Sequence, residues 1–233
     1  MSRESVIQKI VERYRNLLPI TSKYNQDGNN PIIVIVTKNQ PADLILEVSR
    51  RIKNPIFGEN RIQEALPKIE FCGISNISWH FIGSLQRNKV KKTLDKFSLI
   101  ESLDRISLAN EIEKWASKMN IVTKCLLQVD ICQDGSKFGI HPSEEAIEEF
   151  LQRISLLSHI KIQGLMTIAP YVPPEETRAY FRRMRNLFEN LKADSSLPTN
   201  VEMKILSMGM SNDYLIALQE GSNCIRLGTA IFG

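Results

Sequence analysis

The feature that most constrains the fold of this chain is an alternation of short apolar runs with amphipathic patterns along its 233 residues. Eight runs have the apolar character of buried strands; they lie at 32–37, 55–57, 78–82, 97–101, 124–130, 160–165, 203–206 and 223–227. Patterns with helical spacing lie between them, at 41–53, 60–70, 86–94, 104–119, 143–155, 174–192 and 211–219. Because parallel strands need crossovers of a dozen or more residues, this alternation predicts a parallel sheet.

The number of predicted strands indicates the architecture. Eight parallel strands close into a β/α barrel, and the stretch SVIQKIVERYRNLL has the apolar stripe of an additional helix. We therefore predict one domain over residues 1–233, a (β/α)8 TIM barrel with an extra N-terminal helix. That helix is expected to cover the barrel where no helix follows the last strand. The alternative is an open doubly wound sheet, which usually carries a glycine-rich first βα turn, and TKNQP is not glycine-rich.

Composition and charge argue against several classes of protein. The net charge of +4 is too small to imply a nucleic-acid partner. No apolar run approaches the roughly 20 residues of a membrane helix, and the charged N-terminus lacks the apolar core of a signal peptide. Four scattered cysteines without a CxxC pair indicate reduced thiols rather than a metal site. We expect a cytoplasmic protein that associates with neither a membrane nor a nucleic acid.

Lys38 is the first candidate functional residue. Binding and catalytic residues of a β/α barrel collect at the carboxyl ends of the strands, and Lys38 follows the first predicted strand. Apolar neighbours there are expected to desolvate the ammonium group and lower the pKa of the lysine. A neutral amine forms a Schiff base with an aldehyde. The alternative interpretation is a lysine that extends from the strand end into solvent.

A second candidate feature is a phosphate site after the last two predicted strands. Ser211 is a plausible N-cap of the helix predicted over 211–219, and helix N-termini suit anions. Gly228 permits a close approach of the backbone to a ligand, and Thr229 adds a hydroxyl group. The loops after strands 7 and 8 of β/α barrels frequently bind phosphate. The alternative is that these residues only form caps and tight turns.

Barrel closure would bring the lysine and the phosphate loops together. Strand 8 is then adjacent to strand 1, so one ligand with an aldehyde and a phosphate fits both, as pyridoxal 5′-phosphate (PLP) does. Arg226 precedes Gly228 by two residues and shares its face of the strand. An arginine at the pyridine nitrogen cannot accept a proton, which makes PLP a weaker electron sink. The alternative for Arg226 is a buried ion pair inside the barrel.

An ordered set of motifs along almost the whole chain resembles a known family. The motifs are VTKNQP, FGENRIQE, WHFIGSLQRNK, ESLDR, QVDICQDGSKFGI, IQGLMTI, FRRMRNL, LSMGMSNDY and GSNCIRLGTAIFG. Together they resemble the pyridoxal phosphate homeostasis proteins, whose fold matches the barrel domain of alanine racemase. The set is highly specific in this order, whereas any one motif alone is weak.

The resemblance implies a set of cofactor-binding residues. They are Lys38, Asn60, Ser211, Arg226, Gly228 and Thr229. In the family, the position of Lys38 carries the Schiff base with PLP, and the position of Arg226 lies near the pyridine nitrogen. The residues from the last two loops hold the phosphate, and Asn60 matches a residue close to the cofactor. No catalytic residue is implied.

Two further residues match family motifs without an assigned contact. His80 matches the histidine of WHFIG on strand 3, and a histidine satisfied in the barrel wall explains it equally well. Lys137 matches the lysine of GSKFGI near the pocket mouth.

The resemblance implies a role in PLP homeostasis rather than turnover. Alanine racemase adds a second domain that supplies a tyrosine base, and the 233 residues here are used by the barrel. The expected function is reversible PLP binding, with PLP-dependent apoenzymes as partners and a monomeric state. A small PLP-dependent amino-acid racemase is the alternative, and a Schiff-base aldolase acting on sugar phosphates is a weaker one.

The segment QRNKVKK, residues 86–92, concentrates four basic side chains. It is consistent with a patch for nucleic acid or an acidic partner. We interpret it as a solvated helix face, because the rest of the sequence shows neither a basic stripe nor an aromatic platform.

Overall fold

The computed structural model describes residues 2–25, 28–73, 76–133 and 138–233, and its strands close into one parallel barrel. The strands are β1 Ile32–Val36, β2 Ile56–Glu59, β3 Ser78–Phe81, β4 Leu99–Leu103, β5 Thr123–Gln128, β6 Ile160–Met166, β7 Val201–Met210 and β8 Cys224–Leu227. Each strand pairs with its successor, and β8 pairs with β1. The predicted eight-stranded barrel is therefore confirmed, and the open sheet is wrong.

α-Helices occupy most of the connections between strands, and others flank the barrel. The connecting helices are α2 Ala42–Ser49, α3 Ile62–Cys72, α4 Ile106–Met119, α5 Glu144–Ile154, α6 Arg178–Ala193 and α7 Tyr214–Gln219. Helix α1 Arg3–Thr21 precedes β1, and helix α8 Thr229–Phe232 follows β8. The α-helix expected over 86–94 is instead a 3-10 helix, Arg87–Lys92. Val90 is the one buried residue of that segment, so the segment lacks the apolar stripe that would hold an α-helix against the barrel.

The apolar strands are explained by burial on both faces of the sheet. On β1, neighbouring residues Val34 and Ile35 are both fully buried although they point to opposite faces. Ile35 joins the large core between the sheet and the helices. A separate small cluster of Leu99, Leu126 and Met166 comes from three different strands, as expected for side chains that fill the inside of a barrel.

Helix α1 covers the barrel next to its last strand. Ile7, Ile10 and Val11 are buried on one side of α1, and Arg13 donates a hydrogen bond to the carbonyl of Ile231 in α8 at 3.2 Å. The expected position of the extra helix is thus confirmed, except that a short helix, α8, does follow β8. In the described part of the chain, no helix combines the length and the apolar character needed to cross a bilayer.

We predict that Gly164→Ala destabilises the barrel by about 3 kcal/mol or more, because strain and overpacking add. Gly164 has φ +142°, and a Cβ there would lie 1.9 Å from the carbonyl oxygen of Ile205 on the neighbouring strand. Gly73→Ala is the matched control, since φ is +52° but the nearest atom is 3.6 Å away. Its expected cost is about 1 kcal/mol. Equal costs in urea denaturation would contradict the proposed clash.

Candidate ligand site at the carboxyl end of the barrel

The carboxyl ends of β1 and β8 lie side by side. Ile35 of β1 is in register with Leu227 of β8, so Gly228 follows β8 next to the end of β1. A Cβ on Gly228 would lie 3.6 Å from the Cβ of Val36, an ordinary contact. Lys38 is two residues beyond Val36, and Thr229 directly follows Gly228. The sequence-predicted lysine and the loop after the last strand are therefore brought to the same end of two paired strands.

Ser211 joins this group through its side chain. Its Oγ accepts hydrogen bonds from the backbone N–H groups of Gly228 and Ala230, both at 3.1 Å. The prediction that Ser211 caps a helix over 211–219 is wrong. Helix α7 begins at Tyr214 with Asp213 in the N-cap position. Oδ1 of Asp213 accepts a hydrogen bond from the N–H of Met210 at 2.6 Å, which closes the turn after β7.

The turn after β1 presents Lys38 to solvent. The N–H of Gln40 donates to the carbonyl of Thr37 at 3.0 Å, and Asn39 has a left-handed φ of +61°. Lys38 is exposed, and it has no hydrogen bond or ion pair with any described residue. The expectation that apolar neighbours desolvate its side chain is therefore wrong. The primary amine is instead accessible and unpaired at the edge of the site.

A buried ion pair supports the backbone just before Lys38. The Nζ of Lys68 donates to Oε1 of Glu59 at 2.7 Å and to the carbonyl of Thr37 at 2.8 Å. The hydroxyl of Thr37 also donates to Oε1 of Glu59, at 2.6 Å. Glu59 is completely buried, and its Oε2 has no hydrogen-bond partner among the described residues. Through the Thr37 carbonyl, this network fixes the peptide that leads into Lys38.

Arg226 lies in a second buried polar network, inside the barrel. Its guanidinium donates to Oγ of Ser207 at 2.5 Å and to the carbonyl of Thr167 at 2.7 Å. Ser207 in turn donates to Oε2 of Glu101 at 2.6 Å, and this oxygen is 3.7 Å from the guanidinium. The buried ion pair that was the alternative for Arg226 is therefore present, with Glu101 as the partner.

Glu101 is the acidic member of this network, and His80 holds its other oxygen. The Nδ1 of His80 lies 2.7 Å from Oε1 of Glu101, so this nitrogen carries the proton when the carboxylate is ionised. Complete burial by itself raises the pKa of Glu101. The hydrogen bond and charge of His80, the charge of Arg226 and the hydrogen bond from Ser207 outweigh burial and hold this pKa below its ordinary value.

The remaining candidates from the sequence are Asn60, His80 and Lys137, and the structure describes the surroundings of the first two. Asn60 follows β2, and its Oδ1 is buried without a hydrogen-bond partner among the described residues. Its backbone is packed so closely that a Cβ on Gly83 would lie 2.1 Å from the Asn60 carbonyl oxygen. His80 is a buried histidine satisfied in the barrel wall. Lys137 lies outside the described residues.

Sequence reasoning assigned no role to four polar residues of the two networks, namely Glu59, Lys68, Glu101 and Ser207. A signal was present for both carboxylates, because Glu101 lies within the apolar run 97–101 and Glu59 comes two residues after the run 55–57. A charge in such a run is costly unless it is paired. Lys68 had no such signal, since a lysine in an amphipathic helix usually faces solvent.

Comparison with known proteins identifies what this chain is similar to. The family model for the alanine racemase N-terminal domain matches residues 16–233. The pyridoxal phosphate homeostasis protein of Aquifex aeolicus is 44% identical over 191 residues, which are 80% of this chain and 81% of that protein. The structure of PipY from Synechococcus elongatus with PLP bound is 33% identical, with a TM-score of 0.82, and the match covers 96% of this chain and 100% of that one.

A more distant similarity concerns the fold alone. The alanine racemase of Clostridium difficile is 16% identical with a TM-score of 0.72, and the match covers 95% of this chain but 56% of the racemase chain. The two proteins share the barrel, and the rest of the racemase has no counterpart in the match.

We predict that Lys68→Met destabilises the protein by about 3–5 kcal/mol, because it leaves the buried carboxylate of Glu59 without its cation. Urea denaturation at neutral pH measures the loss. The double variant Lys68→Met/Glu59→Gln is the control, and it should regain most of the lost stability because the uncompensated charge is removed. A double variant as unstable as the single one would show that packing, not charge, is responsible.

The depressed pKa of Glu101 predicts a pH-dependent stability. A carboxylate whose pKa is lower in the folded state contributes stability above its unfolded pKa, and this contribution is lost as the pH falls through the folded pKa. Glu101→Gln should therefore cost about 2–3 kcal/mol near neutral pH. The difference in the free energy of unfolding between this variant and the wild type should become smaller as the pH falls below 4.5, the ordinary pKa of a glutamate.

Urea denaturation over a series of pH values measures this difference. Ser207→Ala is the control, because it removes one donor to the carboxylate but keeps the titrating group. It should lower stability while retaining the dependence on pH. If Glu101→Gln lowers the free energy of unfolding by the same amount at every pH, the stability that it removes does not come from the ionised carboxylate of Glu101.

Proposed function

Because this chain belongs to the pyridoxal phosphate homeostasis protein family, we propose that it binds PLP reversibly and helps to regulate the supply of this cofactor. The observation that carries the proposal is the position of an exposed primary amine, Lys38, which no described residue pairs with, two residues after the strand next to Gly228. The PLP-bound relative, PipY, supports the choice of ligand.

The phosphate of PLP is proposed to bind at Ser211, Gly228 and Thr229. The site fits a phosphate, because the backbone N–H groups of Gly228 and Ala230 converge on one oxygen, the Ser211 Oγ, at 3.1 Å each. A phosphate oxygen that replaces Oγ there would accept the same two hydrogen bonds, and the freed hydroxyl would donate a third. Phosphate oxygens accept such hydrogen bonds. Gly228 has no side chain to obstruct a ligand that approaches these amides.

Lys38 is proposed to hold the aldehyde carbon of PLP as a reversible Schiff base. The lysine is exposed and has no competing ion pair with a described residue, so its amine is available to the ligand. The turn that carries Lys38 is anchored by the contact of Lys68 with the Thr37 carbonyl. Because this contact already holds the turn in one conformation, less conformational entropy is lost when PLP binds.

Arg226 and Asn60 are proposed to contact the ring side of the cofactor. Bound PLP supplies an electron sink, and its strength depends on the proton at the pyridine nitrogen. A guanidinium stays charged in proteins and does not accept that proton. The contacts of Arg226 with Ser207 and Thr167 hold its guanidinium in one orientation. Asn60 offers a buried carbonyl oxygen that lacks a partner among the described residues.

Binding without turnover is favoured by the tyrosines. Two-base racemisation needs a second proton-transferring group opposite the lysine. Four of the five tyrosines pack against the hydrophobic core, namely Tyr14, Tyr24, Tyr180 and Tyr214. Tyr171 is 94% exposed in the loop after β6, and its hydroxyl forms no hydrogen bond with any described residue. We therefore propose that the protein binds PLP without turnover. We further propose that it is a monomer and that it exchanges PLP with PLP-dependent apoenzymes.

We predict that Lys38→Ala abolishes the visible absorbance that appears when PLP is added to the wild-type protein. The reason is that Lys38 supplies the amine of the Schiff base. Borohydride reduction followed by peptide mass analysis should find the modified lysine in the segment VTKNQP. Lys23→Ala, which removes another exposed lysine, is the matched control and should leave the absorbance unchanged. Retention of the absorbance in Lys38→Ala would exclude Lys38 as the attachment site.

Ser211→Ala should weaken PLP binding by about tenfold or more, because it removes a hydrogen bond to a charged group. Equilibrium dialysis measures this affinity. Chiral analysis of amino acids incubated with the PLP-loaded protein tests the absence of turnover. Sustained racemisation that depends on Lys38 would favour the racemase and contradict the binding-only function.

A further inference from the structure

The basic segment 87–92 is joined in the fold by an aromatic ring from helix α4. The Nζ atoms of Lys91, Lys114 and Lys118 lie 4.8, 5.5 and 4.9 Å from the centre of the Trp115 ring. The indole N–H of Trp115 donates to Glu111 at 2.7 Å, which holds the ring in place. The sequence-based interpretation that no aromatic platform accompanies the basic segment is therefore wrong.

The positive charge on this face is only partly neutralised. Lys114 pairs with Glu111 at 3.1 Å. Lys91, Lys92 and Lys118 are exposed and form no ion pair with any described residue. The ammonium groups of Lys91, Lys114 and Lys118, all close to the Trp115 ring, repel one another. An anionic partner would relieve this repulsion and would be attracted to the face over a distance of about a Debye length.

An apolar groove runs along the same face. It has a volume of about 690 Å³ and lies between α3 and the 3-10 helix. Leu66 and Ile69 of α3 contribute apolar lining, and Lys91, Lys92 and Lys96 line the same groove. Lys91 also contacts Trp115, so the groove and the aromatic platform form one continuous surface. We call this surface the basic groove.

We propose that the basic groove binds an acidic amphipathic helix of a partner protein. Carboxylates of that helix would pair with Lys91, Lys92 and Lys118, and its apolar side chains would pack on Leu66 and Ile69. Amphipathic helices commonly bind to grooves of this kind, with an apolar floor and charged edges.

A nucleic acid fits the basic groove less well than an acidic helix. Its sugar–phosphate backbone would leave the apolar lining unfilled. Two carboxylates, Glu70 and Asp95, also line the groove, and Asp95 pairs with Lys96 at 2.8 Å. A nucleic acid has a charge on every phosphate and would be repelled there, whereas a helix can place apolar residues beside these carboxylates and its own carboxylates beside Lys91 and Lys92.

The basic groove is separate from the proposed cofactor site. It lies on α3, the 3-10 helix and α4, on the outer layer of the barrel, whereas Lys38 and Ser211 lie at the carboxyl ends of β1 and β7. The inference therefore does not depend on the proposed function, and PLP is not needed for its test.

The test uses three labelled probes with the full-length protein at low and high salt. The first is a peptide of leucine and glutamate arranged as an amphipathic helix, the second has the same composition in an order without an apolar face, and the third is oligothymidylate. Fluorescence anisotropy measures binding, and Trp115 fluorescence reports contact because the other tryptophan, Trp79, is buried. We expect the amphipathic peptide to bind most tightly, with an affinity that falls as salt is added.

Matched charge reversals make the test specific. Lys91→Glu/Lys92→Glu should weaken binding of the amphipathic peptide by about tenfold or more. Lys23→Glu/Lys53→Glu makes the same change in net charge at exposed lysines elsewhere, and should change affinity by less than about twofold. Thermal unfolding checks that both variants are folded.

Three outcomes would overturn the proposal. Tighter binding of oligothymidylate would assign the surface to nucleic acid. Equal binding of the two peptides would show that the apolar groove is not used. Equal losses in the two charge-reversal variants would show that only net charge matters.

Discussion

The hydrogen-bonded pairing of β8 with β1 is the contact on which the rest of this structure depends. It joins the two ends of the sheet, so that none of the eight strands in the described part of the chain keeps an unpaired edge. It also brings residues about 190 positions apart in sequence into register, as Ile35 and Leu227 show. Without this closure, Lys38 and the loop that contains Gly228 and Thr229 would lie at opposite edges of an open sheet. The candidate site is thus a direct consequence of the closed barrel.

Two buried polar networks support the site from different sides of the sheet. Glu59 and Lys68 lie between β2 and α3 and fix the peptide that precedes Lys38. Glu101 and Arg226 belong to a network inside the barrel that includes His80. Both networks require the burial of charged groups, which is favourable only when each charge has a partner in good geometry. Such contacts tolerate little displacement, and they therefore restrict the positions that the ends of the strands can take.

The two surfaces proposed for binding use different physical means. At the carboxyl end of the barrel, backbone N–H groups and a hydroxyl converge on a small volume, which is suited to one compact anion. Along the basic groove, charges and apolar residues are spread over α3, α4 and the 3-10 helix, which is suited to an extended partner. The 3-10 helix forms one side of this second surface. Val90 is its one buried residue, and Lys91 and Lys92 line the groove opposite Leu66 and Ile69 of α3.

The sequence by itself determined the number and order of the strands, because apolar runs buried on both faces are a local signal. The apolar runs at 32–37 and 223–227 predict the first and last strands, and the family resemblance supplied the candidate residues around them. Strand β7 was predicted at only 203–206, since Ser207 and Gly209 are poor strand formers, and pairing with β6 and β8 extends it to Met210. Only the tertiary structure decided that Ser211 bonds to the amides of Gly228 and Ala230, that Lys68 is buried against Glu59, and that Lys91 of the 3-10 helix lies over Trp115 of α4. Each of these contacts joins residues from separate elements, and the spacing of residues along a chain contains no record of which elements become neighbours once the barrel closes.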